Sequence, residues 1–565
     1  MLNRRTCLSV TFLVTAFCLA CQAKEYPYRW FWVSPAGGLP DDKAVEQIRR
    51  LVKTAAEHGL NGMVLSVGLD RLDTQRADYL ERLEQLKQIC KEYGVEIIPN
   101  VFSVGYGGAA LAYDKNLAAG VSVKDALFVV QNGIAHLLPD PPVQIRNSGF
   151  EPAPGGGNRL AEYNFHDRPG EVSFVDTTVF KSGKASLRFE NFGKYEYGHA
   201  RVMQQVSVKP FRCYRLSCWL KTESVQPDGC LRMAVLSLDN RDLAPWQLSI
   251  ASTSDWQKVV MGFNSLNYDT VRIYAGAWGG KTGKFWIDDL RIEEVGLLNV
   301  LRRPGTPVTV KNDATGLVYE EGRDYTRIED PRLNFRFDHD PPTIKILPAG
   351  RIEDGQRLRV SYYHGMAINR GQVSVCMSEP KLYEIMRRQA ELIHKNLAPN
   401  KYLLSMDEIR AGGACQACKQ RKMTMAQILG DCITRQVEII HSVNHKAEVL
   451  IWSDMLDPNH NARDKYYLVD GDYTGSWKYV PEDLTIVCWY YQKRAESLNF
   501  FSSHGFRTMA GAYYDNPAGG GLENPRGWLK ELEETPKAVG IMYTTWENKY
   551  EHLAPFADLV SGKNK

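Results

Sequence analysis

The chain has 565 residues, more than one hydrophobic core ordinarily serves, so two to four domains are expected. Its 69 basic and 66 acidic residues leave a formal charge of +3 with no long run of one sign, a balance that excludes nucleic acid and an acidic membrane surface as expected partners. Aromatic residues make up 11%, with 12 Trp and 28 Tyr, enough for sugar-stacking surfaces as well as for ordinary cores.

The first 23 residues read as an export signal: Arg4 and Arg5, an apolar run over 8–19, then small residues around Ala20, Cys21 and Ala23. The run is too short to span a bilayer permanently. Cleavage after Ala23 would give a free periplasmic or extracellular protein, whereas acylation of Cys21 would give a lipid anchor at a bacterial cell surface, and both readings stay open. Nine cysteines follow the leader, an odd and scattered set that argues for buried thiols over a disulfide framework.

From Tyr28 the pattern alternates short apolar runs with amphipathic helices. A strand at 28–33 precedes a helix capped by Asp41 or Asp42, with Val45, Ile48, Val52 and Ala55 on one face and Gly59 at its end. Strands at 62–67 and 95–101 flank a second helix that buries Leu83, Leu86, Cys90 and Tyr93. The spacing predicts a further helix over 123–136.

The texture then changes to short alternating strands and Gly/Asn/Asp turns until about Gly365. Helical periodicity returns at 379–395, followed by strands at 402–406, 449–452, 485–489, 508–513 and 539–544 with helices between most of them. Three strands before the break and five after it give the count of a closed (β/α)8 TIM barrel, an α/β fold; a doubly wound open sheet is the alternative. The expected division is barrel over 24–142, a jelly-roll β-sandwich over 143–296, a small β-rich domain over 297–366 and the rest of the barrel, with the catalytic residues, over 367–565. The break lies after the third strand and before the third helix, on the face where barrels carry their chemistry.

Within the sandwich, Asn147-Ser-Gly-Phe-Glu151 at the start and Phe285-Trp-Ile-Asp-Asp-Leu-Arg-Ile292 at the end resemble a carbohydrate-binding module of the galactose-binding-like type. That resemblance implies a structural calcium near Glu151 and Asp288 or Asp289; surface acids at strand ends are the plain alternative. Trp246 and Trp278 are the candidate sugar-stacking aromatics.

Tyr402-Leu-Leu-Ser-Met-Asp-Glu-Ile-Arg410 ends the fourth barrel strand in adjacent carboxylates, Asp407 and Glu408. Carboxylates there are expensive unless hydrogen-bonded or functional, and strand C-terminal ends are where barrels hold catalysts. Adjacent acids do not face each other across a glycosidic bond, as the usual pair does. They suit a division in which the substrate's own acetamido oxygen attacks the anomeric carbon, Asp407 orients that group and Glu408 protonates the leaving oxygen.

Together with Tyr26-Pro-Tyr-Arg29, Ile97-Ile-Pro-Asn100, Gly105-Tyr106 and Tyr513-Tyr-Asp515, this segment is similar to glycoside hydrolase family 20, the β-N-acetylhexosaminidases, in particular their hexosaminidase D-like branch. The resemblance implies Asp407, Glu408 and Tyr513 as catalytic, with Tyr513 donating to the acetamido oxygen. It further implies substrate binding by Arg29, Trp452, Trp489, Asp515, Trp546 and Glu547, where the family's Trp-x-Glu is Trp546-Glu547. Other departures are Leu403-Leu-Ser-Met406 for the family's His-Ile-Gly-Gly, Asn100 for its Glu and Tyr106 for its His.

The reading is an exo-acting enzyme releasing terminal β-linked GlcNAc or GalNAc with retention. Two alternatives remain: a glycosidase whose nucleophile is Asp454, Asp515 or Glu547, and a non-catalytic glycan-capture protein. Cys415-Gln-Ala-Cys418 lacks a second Cys/His pair, so buried thiols or a local disulfide are expected in place of zinc, and no cofactor is called for.

Overall fold

The computed structural model describes residues 26–35, 37–369, 371–515 and 521–562; the leader and Cys21 lie outside them. Eight parallel strands close into a barrel: β1 (Tyr28–Val33), β2 (Gly62–Leu65), β3 (Glu96–Val101), β4 (Lys401–Leu404), β5 (Glu448–Trp452), β6 (Thr485–Cys488), β7 (Arg507–Tyr513) and β8 (Ala538–Thr544). Closure is direct, since β1 pairs in parallel with both β2 and β8, Phe31 lying opposite Met63 on one side and Tyr543 on the other.

Around the barrel lie α1 (Asp42–Glu57), α2 (Ala77–Glu92), α3 (Pro380–Leu397), α4 (Met425–Val443), α5 (Arg494–Ser503), α6 (Glu523–Glu534) and α7 (Leu553–Val560). Helix α1 starts where Asp41 accepts the Ala44 N–H at 2.9 Å and buries the expected Val45, Ile48, Val52 and Ala55. Helix α4 starts with a capping box formed by Thr424 and Gln427. Between β5 and β6 the chain runs as a long loop with a 3-10 turn at Ser476–Tyr479 and no α-helix.

The barrel is filled by a separate inner cluster that includes Trp30, Trp32, Val64, Ile98, Leu403, Trp452, Met509 and Met542. Gly62 makes room for it, because a Cβ there would lie 2.4 Å from the Trp30 ring.

The helix expected over 123–136 is instead a pair of strands, Val121–Gln131 and Ile134–Leu137. Val121–Gln131 pairs antiparallel with Arg357–His364 across a register shift, with Asp125 in the left-handed region at φ 51°. This bulge breaks the period of two and leaves Val123, Ala126, Leu127 and Val130 buried at spacings of three, four and seven, which imitate a helix face. Residues 121–137 thereby leave the segment expected to be barrel and join Thr309–Asn312, Val318–Tyr319 and Ile344–Lys345 in a six-stranded sheet. The sandwich between them consists of two five-stranded antiparallel sheets. Among the described residues no helix is long and apolar enough to cross a membrane.

Candidate functional site

A cavity of about 400 Å³ opens at the C-terminal mouth of the barrel, within the size range of small-molecule sites. Trp32, Trp489, Tyr514 and Trp546 form its apolar walls, and Asp70, Asn100, Ser103, Tyr106, Asp407 and Glu408 supply polar groups. The Trp489 and Tyr514 rings stack 5.2 Å apart at 6°, and Trp546 leans over Trp32 at 4.8 Å with 43% of its surface exposed, so it forms the rim.

Asp407 and Glu408 follow β4 as expected, and a close backbone approach sets their position. Val104 donates its N–H to Ser405 O, and Gly105 lies so near that a Cβ would sit 1.9 Å from Asp407 O. Only glycine fits there. Glu408 takes a left-handed φ of 51°, which directs its N–H to Asp454 Oδ2 at 2.9 Å.

The two acids differ in environment. Glu408 Oε1 is ion-paired with Arg410 Nη2 at 2.7 Å, while Oε2 accepts from Gln372 Nε2 at 3.1 Å and from the Tyr106 hydroxyl. Three donors converge on this carboxylate and fix its orientation. Asp407 has a single weak donor, Ser405 Oγ at 3.1 Å. Burial, then the charges of Asp454 and Glu408, push its carboxyl well above the ordinary carboxylate range. Asp454 is pushed up in turn by burial, against hydrogen bonds from the Glu408 N–H and from Asn461 Nδ2 at 2.9 Å. Asp407 and Asp454 are thereby both held toward their neutral forms beside the Arg410-paired Glu408. His460 is kept neutral, its pKa lowered to about 4 by burial, and lies edge-on to Trp489 at 4.3 Å.

Several expected residues are not brought to this cavity. Arg29 sits at the opposite, N-terminal end of β1: side chains 28, 30 and 32 face the barrel interior, and Arg29 turns outward to the carbonyls of Gly59 and Tyr26. Trp32, two residues beyond Trp30 on the inward parity, is the β1 residue in the pocket. Tyr513 should face inward with Met509 and Gly511. Left-handed backbone at Tyr513, Tyr514 and Asp515 (φ 70°, 55° and 53°) breaks the alternation instead. Tyr513 turns out to stack on Tyr543 at 4.2 Å and donates to Glu551, and Tyr514 enters the pocket in its place.

The Asp515 carboxylate accepts from Thr545 Oγ1 and the Trp546 N–H, both at 2.5 Å, and from the Glu547 N–H at 3.2 Å, so it fastens the loop after β8. Glu547 is exposed and paired with Lys549. Trp452 lies beneath the pocket in the barrel core, 5.9 Å from Trp32. Asp70, which the sequence reading missed, comes from the loop after β2 and holds the Ala109 N–H at 2.8 Å.

In the sandwich, Glu151 and Asp288 do converge on residues 181–184, but as acceptors of the Lys181, Ser182 and Lys184 amides; Asp289 pairs with Arg291. Both Asp288 oxygens and Glu151 Oε1 accept backbone N–H donors. Trp246 and Trp278 are half-buried, and Trp246 lines a second cavity with Phe335 and Phe337.

No family model matches this sequence, and no curated protein matches it. Among solved structures the chain is similar to a rhamnosidase from Novosphingobium sp. PP1Y, at 10% identity over 95% of this chain and 59% of that one, with a TM-score of 0.33. It is similar to the arabinose-bound MgGH51 α-L-arabinofuranosidase at 10% identity, over 76% of this chain and 75% of that one, with a TM-score of 0.23. A stretch of 26% of the chain is similar to 99% of a CBM4 structure, at 13% identity and a TM-score of 0.21. Likenesses this slight carry no argument about activity. The fold follows from the chain's own strand pairing: a closed parallel barrel with antiparallel β-domains and a carboxylate pocket at its C-terminal mouth.

Proposed function

We propose that this chain is an exported glycoside hydrolase that removes a terminal β-linked N-acetylhexosamine through the Asp407–Glu408 pair. The observation that carries the reading is that these adjoining acids lie in a single aromatic-walled pocket, Asp407 held toward its neutral form by burial and Glu408 paired with Arg410. Each carboxylate expected as an alternative nucleophile is engaged elsewhere: Asp454 under Glu408, Asp515 under the β8 loop and Glu547 on Lys549.

In the resting site Asp407, the orienting group, is held toward its neutral form, and substrate binding can reverse this. An acetamido N–H donated to Asp407 favours its anion and so releases its proton. The proton lost by Asp407 is then taken up by Glu408, which delivers it to the leaving oxygen. The acetamido oxygen attacks the anomeric carbon, with Tyr514 as its hydrogen-bond donor in place of Tyr513. Water opens the cyclic intermediate with Glu408 as base.

Aryl β-glycosides of GlcNAc, GalNAc, glucose and galactose test this. Hydrolysis confined to the N-acetylated pair and blocked by thiazoline-type inhibitors is the expected result. Binding without release would leave glycan capture, and hydrolysis insensitive to thiazolines would favour a second reading in which Asp70, the other pocket carboxylate, serves as nucleophile. Under that second reading Asp70→Asn abolishes turnover on every substrate.

A further inference from the structure

The Cys415-x-x-Cys418 pair acquires a third member from sequence far upstream. Cys376, on the chain returning from the insert, places its Sγ 3.5 Å from that of Cys415 and 3.7 Å from that of Cys418, and the latter two lie 3.6 Å apart. All three are buried. Two thiols beside a bystander would show one short contact; here the triangle is nearly equilateral. Zinc–sulfur bonds of about 2.3 Å at tetrahedral angles give sulfur–sulfur edges of roughly 3.8 Å, whereas a disulfide needs about 2.05 Å. Among the described residues no other three Cys, His, Asp or Glu ligand atoms come together in this way.

A second observation concerns Arg303, whose side chain is 6% exposed. Its Nε is paired with Glu379 at 2.7 Å and its Nη1 donates to Ala118 O at 2.9 Å, but Nη2 is buried without an acceptor. This guanidinium is close enough for its charge to act on Cys376 and Cys415. A divalent ion on three thiolates carries one net negative charge, and a nearby buried cation with an unused N–H is the complement it requires.

We infer that Cys376, Cys415 and Cys418 bind a structural zinc-class ion, a thiophilic divalent metal, with Arg303 balancing the charge of the cluster. Binding replaces the three thiol protons, released to solvent, with the ion. Ser378, whose buried hydroxyl has no hydrogen-bond partner, lies near Cys418 and is the candidate fourth, oxygen ligand. The ion would fasten the loop that follows Glu408 to the segment that carries Gln372, a donor to Glu408. It is therefore a positioning element seven residues from the catalytic pair, with no part in the reaction itself.

The test is metal analysis of the full chain purified without chelator. About one zinc per chain is expected, together with a thiolate-to-cobalt charge-transfer band when Co²⁺ replaces it. Cys376→Ser should lose at least tenfold in Co²⁺ affinity, while Cys90→Ser, which alters a buried cysteine outside the cluster, should keep both signals. If Cys376→Ser does not fold, the metal content and cobalt spectrum of the unmodified protein decide alone. No zinc and no cobalt band under reducing conditions, or a Cys415–Cys418 disulfide found by peptide mass mapping of the untreated protein, would overturn the assignment.

Discussion

At Asp407 a carboxyl group is held where its charge is least welcome, under protein atoms and next to Asp454 and Glu408. Its pKa is raised in the folded chain, so between the unfolded and folded values the native state holds a proton that the unfolded state has released. Stability therefore falls as the pH rises through that window. Asp407→Asn removes the charge and keeps the shape: it should raise the melting temperature by a few degrees at pH 8 and leave it nearly unchanged at pH 4. Equal shifts at both pH values would mean that Asp407 is already ionised in the resting protein. The two tyrosines give a sharper comparison. Tyr514→Phe should lower kcat/KM on an N-acetylated aryl glycoside by roughly a hundredfold, and the loss should combine less than additively with that of Asp407→Asn, since both groups hold one acetamido group. Tyr513→Phe should leave kcat/KM in place and lose only about 1 kcal/mol of stability with its bond to Glu551. A reversal of the two would return the catalytic role to Tyr513. From sequence, the position of the Asp-Glu pair was legible because a strand ends there; the choice between neighbouring tyrosines was not, because it rests on three consecutive left-handed residues that no composition signal marks.

At the scale of elements, the barrel strands were legible because buried parallel strands read as unbroken apolar runs bounded by Gly and polar turns. The strand Val121–Gln131 was misread because its bulge at Asp125 re-spaces the apolar positions to a helical interval. The loops above the barrel were least legible, since long-range backbone approach shapes them and local pattern does not. Gly105 is the clearest case. A Cβ at 1.9 Å from the Asp407 carbonyl cannot be absorbed by a rotamer change, so Gly105→Ala must push the loops after β3 and β4 apart. The strain, about 1–3 kcal/mol, falls on the segment bearing both acids. Circular dichroism should show an intact fold, and kcat should fall more than tenfold. A Gly105→Ala variant with unchanged kcat would show that the acids tolerate displacement and that the pocket is not pre-organised.

For the whole molecule, the insert is two bodies with different ties to the barrel chain. The sandwich touches the barrel loop after β5 through Arg241, whose Nε and Nη2 donate to the carbonyls of Tyr467 and Val469, and through the Asp239–Lys465 pair at 2.8 Å. Its ends lie close together, since Gly296 packs against Leu137 at the last strand before the sandwich. The six-stranded sheet is another matter. Val121–Gln131, entering from the barrel, pairs along its length with Arg357–His364 and buries Val121, Val123, Leu127 and Phe128. Excising residues 143–295 and joining the ends with a short linker leaves every strand of that sheet with its partner, while it uncovers the face of the sheet that shares one apolar core with the sandwich. Excising 143–365 strips the partner from Val121–Gln131 and exposes a row of apolar side chains on an unpaired edge. The first deletion should keep the barrel's cooperative melt and hydrolyse aryl N-acetylhexosaminides within about threefold of the full chain, because no sandwich residue lines the pocket, while its retention on polymeric glycan falls. The second should aggregate or lose the barrel's cooperative melt. If the first deletion folds but is inert, Arg241 and its two carbonyl partners are what hold the loop after β5 in its active shape, and Arg241→Ala in the full chain should reproduce the loss.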